Sequence, residues 1–183
     1  MDTRGRSIAI RDATAEDSKA IADLHADSWR SAYRGVLTNN YLENHVRQER
    51  LAFWQERFLG KDQKPMFVIL GETGDAVVGF ICLFPEQDAI FGSFIDNLHV
   101  TPQLTGHGIG RLLLSEVAQR LLKDGSRGGL YLWVIEQNIR ARRFYERAGA
   151  TVAGSAVNLM PDGQQVVAVR CYWNSPERLL AMR

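Results

Sequence analysis

The sequence predicts an α/β fold: one mixed β-sheet of about six to seven strands, flanked by helices. Three observations carry that expectation. Segments with strand-like alternation and segments with helical apolar spacing intermix along the chain instead of forming separate blocks. A β-rich stretch at 94–100 passes through a glycine-punctuated bend into an apolar helical run, and another β-prone run follows at 130–135. That order describes a right-handed β-α-β unit with parallel strands. Two further β-prone runs between 151 and 173 flank Pro161-Asp162-Gly163, a strong turn signal.

Taken in order, residues 7–11 (SIAIR) alternate as a short first strand. Residues 12–17 carry helix-start signals, with Thr14 three positions ahead of Asp17. Ile21, Leu24, His25, Trp29, Ala32 and Tyr33 then recur at helical spacing until Gly35 offers a stop. Residues 41–59 read as a second helical region with Leu42, Val46, Leu51, Trp54 and Phe58 on its apolar face, and 61–65 as a polar connection. Strands at 66–70 and 76–84 are joined by a glycine- and acid-rich hairpin turn, 71–75. Residues 85–92 read as a loop, 94–100 as a strand, 112–122 as a helix and 124–129 (DGSRGG) as a turn. The run LYLWVI at 130–135 is apolar throughout, as a buried parallel strand is. Asn138 can cap the helix that follows, and Gly149 can end it. Residues 175–183 read as a short terminal helix or a frayed end.

The chain has 183 residues, which suggests a single domain over 1–183. Hydrophobic residues make up 45%, enough for a substantial core, and a net charge of +1 exerts no global pull toward nucleic acid or a membrane surface. Cys82 and Cys171 sit in apolar β-prone runs and read as buried free thiols; no metal-ligand spacing occurs. Without a bilayer-length apolar run or a signal-peptide pattern, the expectation is a cytoplasmic protein that binds neither membrane nor nucleic acid.

The most informative stretch is VTPQLTGHGIGRLLL, residues 100–114. Gly106, Gly108 and Gly110 let the backbone turn and leave amides unshielded, and the following helix adds its own N-terminal N–H groups and dipole. Together they form a cradle for phosphate oxygens, most simply a pyrophosphate. The register is G-x-G-x-G-R, one residue short of the G-x-G-x-x-G of dinucleotide folds, and no G-K-S or G-K-T is present. Glu136 after the next strand keeps a dinucleotide site as the weaker alternative.

This bend resembles that of the GCN5-related N-acetyltransferase (GNAT) family, whose loop reads Q/R-x-x-G-x-G/A between its fourth strand and third helix. Two registers match: Gln103-x-x-Gly106-x-Gly108, and Thr105-x-x-Gly108-x-Gly110, in which Thr replaces the usual Gln or Arg. A second block, LYLWVIEQNIRARRFYERAGA at 130–150, is similar to the family's strand, Asn, Tyr-bearing helix and Gly, with Asn138, Ala141, Phe144, Tyr145 and Gly149 in the matching places.

The resemblance implies an acetyl-CoA-dependent N-acetyltransferase, with acetyl-CoA as cosubstrate and no metal. The acceptor would be a primary amine on a small molecule or a protein N-terminus, attacking directly in a ternary complex. A non-catalytic acyl-CoA-binding module is the alternative. The family's parallel strands splay at the cofactor site, here 94–100 and 130–135, and homodimers are frequent in it. The implied cofactor contacts are Leu98, His99, Val100, Thr105, Gly106, His107, Gly108, Ile109, Gly110, Arg111, Asn138 and Tyr145. Amides around Leu98 to Val100 would polarise the thioester carbonyl, and Tyr145 would protonate the leaving thiolate, unless it only packs beside Phe144. The base stays open among Asp96, Glu136 and His99, with Asp96 as the leading catalytic candidate. Trp29 and Tyr33 are candidates for the acceptor wall, and their one-turn spacing fits core packing equally well. Arg140, Arg142 and Arg143 form a basic helix face, either solvated or near a nucleotide 3′-phosphate.

Overall fold

A computed structural model describes residues 7–60, 65–126 and 128–181. Its elements are β1 (Ala9–Asp12), α1 (Ser18–Ala32), α2 (Val46–Leu59), β2 (Phe67–Thr73), β3 (Ala76–Asp88), β4 (Gly92–Val100), α3 (Ile109–Lys123), β5 (Leu130–Ile135), α4 (Ile139–Arg147), β6 (Thr151–Leu159), β7 (Gln165–Trp173) and α5 (Glu177–Leu180). The strands form a seven-stranded mixed sheet in the order β1-β2-β3-β4-β5-β7-β6. The β-α-β unit at its centre is parallel, β4 against β5. That ladder comprises Ser93 with Leu130 and Phe94 with Tyr131, although β4 continues for six further residues. On its other edge β5 pairs with β7 over its whole length, from Leu130 with Trp173 to Ile135 with Ala168.

Several boundaries differ from the sequence expectation for identifiable reasons. The first strand lies at 9–12, not 7–11, because its register is set by β2, with Ala9 opposite Glu72 and Asp12 opposite Ile69. At the head of α1, Asp17 accepts the Thr14 amide at 2.8 Å, so a single 3₁₀ turn precedes the helix. Residues 41–59 divide into a π turn at Tyr41–His45 and the regular α2. The β2-β3 turn shrinks to Gly74-Asp75, with Gly74 at φ +59°, and Gly71 joins the strand. The loop expected at 85–92 is mostly strand. Pro85 cannot donate to a ladder, but the Glu86 amide finds the Ser93 hydroxyl at 3.2 Å, and Asp88 Oδ1 accepts the amides of Ile90 and Phe91 to close the hairpin. The third helix starts at Ile109, three residues early. Of the polar connection expected at 61–65, positions 61–64 lie outside the described residues, as do Arg127 of the expected 124–129 turn and residues 182–183 of the expected terminal segment.

The chain divides into two compact units. One comprises the chain up to Cys82 together with Asn97–Leu113; the other comprises Leu83–Asp96 and the chain from Leu114 onward. In the first unit, Trp54, Phe80, Ile21, Leu42, Ile69 and Leu70 are fully buried. Gly79 determines how α3 seats there: a Cβ at that position would lie 3.0 Å from Ile109 Cγ2 and 3.2 Å from the His99 carbonyl oxygen. Only a glycine lets the first turn of α3 approach β3 this closely. In the second unit the core is built on Leu83, Leu130, Leu132 and Trp173, whose indole N–H donates to the Ala148 carbonyl at 2.8 Å. Cys82 and Cys171 are buried and form no disulfide, and burial pushes the Cys171 thiol up to about 11. Among the described residues no helix is long and apolar enough to cross a membrane, and no group of three His, Cys, Asp or Glu side chains could hold a metal ion.

Candidate active site

The glycine-punctuated bend lies in the first unit. After β4, the Thr101 amide still donates to the Val78 carbonyl of β3 at 2.9 Å. A 3₁₀ turn at Pro102–Leu104 follows, started by the proline at its first position. Two of the bend's amides are used locally: Thr105 N–H reaches the Pro102 carbonyl at 3.4 Å, and His107 N–H reaches that of Leu104 at 3.3 Å. Gly106 (φ +91°) and Gly108 (φ +81°) take left-handed conformations that disfavour side chains. A Cβ on either would meet nothing within 4 Å, so the requirement for glycine there is conformational and the space above the bend is open. The α3 ladder begins with Leu112 N–H to the Gly108 carbonyl at 2.9 Å, which sets the amides of Ile109, Gly110 and Arg111 ahead of the first intrahelical bond.

This corrects the picture of three equivalent bend glycines. Gly106 and Gly108 shape the bend, whereas Gly110 lies in the first turn of α3. Both sequence registers contain Gly108. The side chain that would lead each register is engaged locally: Gln103 Oε1 accepts from the Thr101 hydroxyl, and the Thr105 hydroxyl donates to the Pro102 carbonyl, both at 2.8 Å. Residues 106–108 are exposed, His107 included, and Arg111 is half-buried.

The candidates on 130–150 lie in the second unit. Asn138 caps α4, its Oδ1 accepting the Ala141 amide at 3.1 Å. Gly149 closes the helix at φ +84°, with Ala150 N–H bonded back to the Tyr145 carbonyl at 3.0 Å. Tyr145 is 7% exposed, its ring edge-on to Trp173 at 6.1 Å and to Phe144 at 5.2 Å. Glu136 is exposed. On β4, Ser93, Ile95 and Asn97 form the buried face, while Phe94, Asp96 and Leu98 alternate onto the other, half-buried one.

In the first unit, α1, α2 and β4 bring together a cluster that sequence reading distributed among separate helices. The His25 ring lies 4.3 Å from that of His99 and 5.1 Å from that of Trp29. Trp29 is packed against Tyr33 and Tyr41, so the two acceptor-wall candidates touch each other in the packed cluster. Trp54 Nε1 donates to His25 Nδ1 at 3.1 Å, and His99 Nδ1 shares a hydrogen bond with the Ser28 hydroxyl at 2.9 Å. Burial holds His99 down to about 3, helped by the charge of Arg50, and burial also lowers His25 well below the usual imidazole range, with smaller contributions from His99, Arg50 and Arg57. Both rings are therefore neutral at pH 7, and His99 lacks the basicity that a general base needs. Sequence reading missed Arg50. It stands midway between Val46 and Trp54 on the apolar stripe of α2, and a charge at the centre of such a stripe was the available signal.

The histidines give a pH dependence with a definite sign. Below about pH 6.5 the unfolded chain binds protons that the folded protein refuses, so stability is full above that pH and falls by about 1.4 kcal/mol per pH unit per ring as acid is added. Asp17 does not confound this window. Hydrogen bonds from Arg11 hold it at about 2, so its contribution is lost only as pH falls from about 4 toward that value. The urea midpoint is expected to fall from pH 7 to pH 5, and a His99→Gln variant to show a shallower slope. An unchanged midpoint would refute the neutral pair.

A family model described as the acetyltransferase (GNAT) family matches residues 19–150. The uncharacterized N-acetyltransferase YuaI of Bacillus subtilis is 34% identical over 134 residues, covering 72% of this chain and 73% of that protein. A spermidine N(1)-acetyltransferase of Thermoplasma acidophilum is 28% identical over 152 residues, covering 80% of this chain and 89% of the relative. Among solved structures, the PaiA N-acetyltransferase of Thermoplasma acidophilum in complex with coenzyme A is similar at a TM-score of 0.66 and 22% identity, over 88% of this chain and 98% of that one.

Proposed function

The chain belongs to the GNAT family of acetyltransferases, and we propose on that premise that it moves the acetyl group of acetyl-CoA to a primary amine on a small molecule or a protein N-terminus. The observation that carries the reading is the exposed bend at Gly106 and Gly108, open above its backbone and placed at the head of α3. Such a bend suits a pyrophosphate, because main-chain N–H groups and the helix dipole both favour anionic oxygens. In this reading the amides at the head of α3 hold the diphosphate, and Arg111 adds a charge to it. The main chain of Leu98 to Val100 donates to the thioester carbonyl, where negative charge develops as the amine attacks. Tyr145 gives the departing sulfur its proton. Asp96, through water, takes the proton from the ammonium. Asn138, already the cap of α4, contacts the arm of the cofactor.

The test has two arms. Coenzyme A is expected to raise the melting temperature where NAD does not, and free thiol is expected to appear when acetyl-CoA is supplied with a panel of primary amines. Tight acetyl-CoA binding without turnover on any amine would make the chain a binding module. Stabilisation by NAD in preference to CoA would overturn the reading.

A further inference from the structure

Arg50 is a buried cation without a buried counterion. It is 7% exposed, and its guanidinium lies over the rings of Trp29 at 4.7 Å and Phe53 at 4.6 Å. Its Nη2 meets the carboxylate of Glu49, a side chain 36% exposed, but its Nε–H has no acceptor among the described residues. His25, 1% exposed, is in the same position. Its Nδ1 accepts from Trp54, so the proton of the neutral ring sits on Nε2, and that donor also has no partner among the described residues. Both orphan donors border the same two rings, Trp29 and Phe53. Arg57 brings a second guanidinium over Phe53 at 4.2 Å. None of the described buried residues is Asp or Glu. The cluster thus has two unmatched donors, and Ser28, Phe53, Arg57 and His99 beside it are half-buried.

We infer that the acceptor carries a carboxylate in addition to its reacting amine, as an amino acid does, and that Arg50 together with His25 receives that carboxylate. This rests on the acetyl-transfer reading above. A carboxylate supplies acceptors to both orphan donors, whereas an ammonium supplies none and is itself a donor and a cation. The rim residue His99 belongs to the end of β4, whose amides are assigned to the thioester carbonyl, so an acceptor anchored by its carboxylate on Arg50 lies beside the segment that acts on the acetyl group.

The test compares free amino acids with the amines left by their decarboxylation, each pair measured for acetyl transfer and by titration calorimetry. In at least one pair the carboxylate-bearing member is expected to bind at least tenfold more tightly and to show at least tenfold higher kcat/KM. Arg50→Gln is expected to erase that preference through KM with kcat nearly kept, and Arg50→Lys to restore part of it. The inference is overturned if no pair shows the preference, if diamines or spermidine are favoured, or if the preference survives in folded Arg50→Gln. Should that variant not fold, the wild-type pairs decide alone. The two readings separate cleanly: selective carboxylate binding without any turnover sinks acetyl transfer and keeps the anion site, while turnover that favours the diamines sinks the anion site and keeps acetyl transfer.

Discussion

Gly108→Glu is expected to abolish acetyl-CoA binding in a protein that remains folded. The position is common to both registers in which the bend matches the family's loop, is exposed, and has nothing within 4 Å of where a Cβ would stand. Forcing a non-glycine residue to φ +81° costs about 1–2 kcal/mol, a loss that a domain stable by about 5–15 kcal/mol survives. Binding is affected far more. The new side chain covers the amides that would face the diphosphate and places a negative charge against it. Charge-assisted hydrogen bonds are worth about 1.5–3 kcal/mol each, so losing two lowers affinity by roughly 10²–10⁴-fold. Gly163→Glu is the control: it imposes the same kind of strain, at φ +83° and in equally open space, but in the β6-β7 turn. It should leave acetyl-CoA affinity unchanged in the same calorimetric titration. A folded Gly108→Glu protein that binds acetyl-CoA like the wild type would remove the bend from the site.

The second large effect is expected from Tyr145→Phe: turnover falls by about 10²–10⁴-fold, the range in which a positioned general acid acts, while acetyl-CoA affinity stays within about twofold. The substitution deletes one hydroxyl and keeps the ring that packs edge-on against Phe144 and Trp173, so the second unit's core is preserved. A stopped assay that separates kcat from acetyl-CoA affinity reads both quantities. If kcat is unaffected, Tyr145 is a packing residue of α4, and the proton for the departing thiolate comes from elsewhere.

The elements most legible in the sequence were those whose signals are local. The bend after β4, the Asn138 cap and the Gly149 stop each depend on the conformational demands of one or two residues; the cap and the stop stand where the sequence put them, and the bend differs only in that Gly110 already belongs to α3. The weaker readings were those where a tertiary partner overrides a local signal. Pro85 announced a loop, yet the Ser93 hydroxyl satisfied the neighbouring amide and the strand continued. Trp29 and Tyr33 fitted both an acceptor wall and a core, because helical spacing says which residues share a face and not what that face meets. Gly79 drew no notice, since its importance lies in how closely Ile109 approaches it.

From its own order of residues the chain determined the mixed α/β plan, the family, and the glycine bend after β4, because backbone conformation and periodic burial are written within short windows. The pairing of His25 with His99, the enclosure of Arg50 between Trp29 and Phe53, and the two orphan donors they leave were decided only by folding. Those groups come from three elements far apart along the chain, and desolvation, which makes an unpaired donor or cation consequential, exists only once the elements pack.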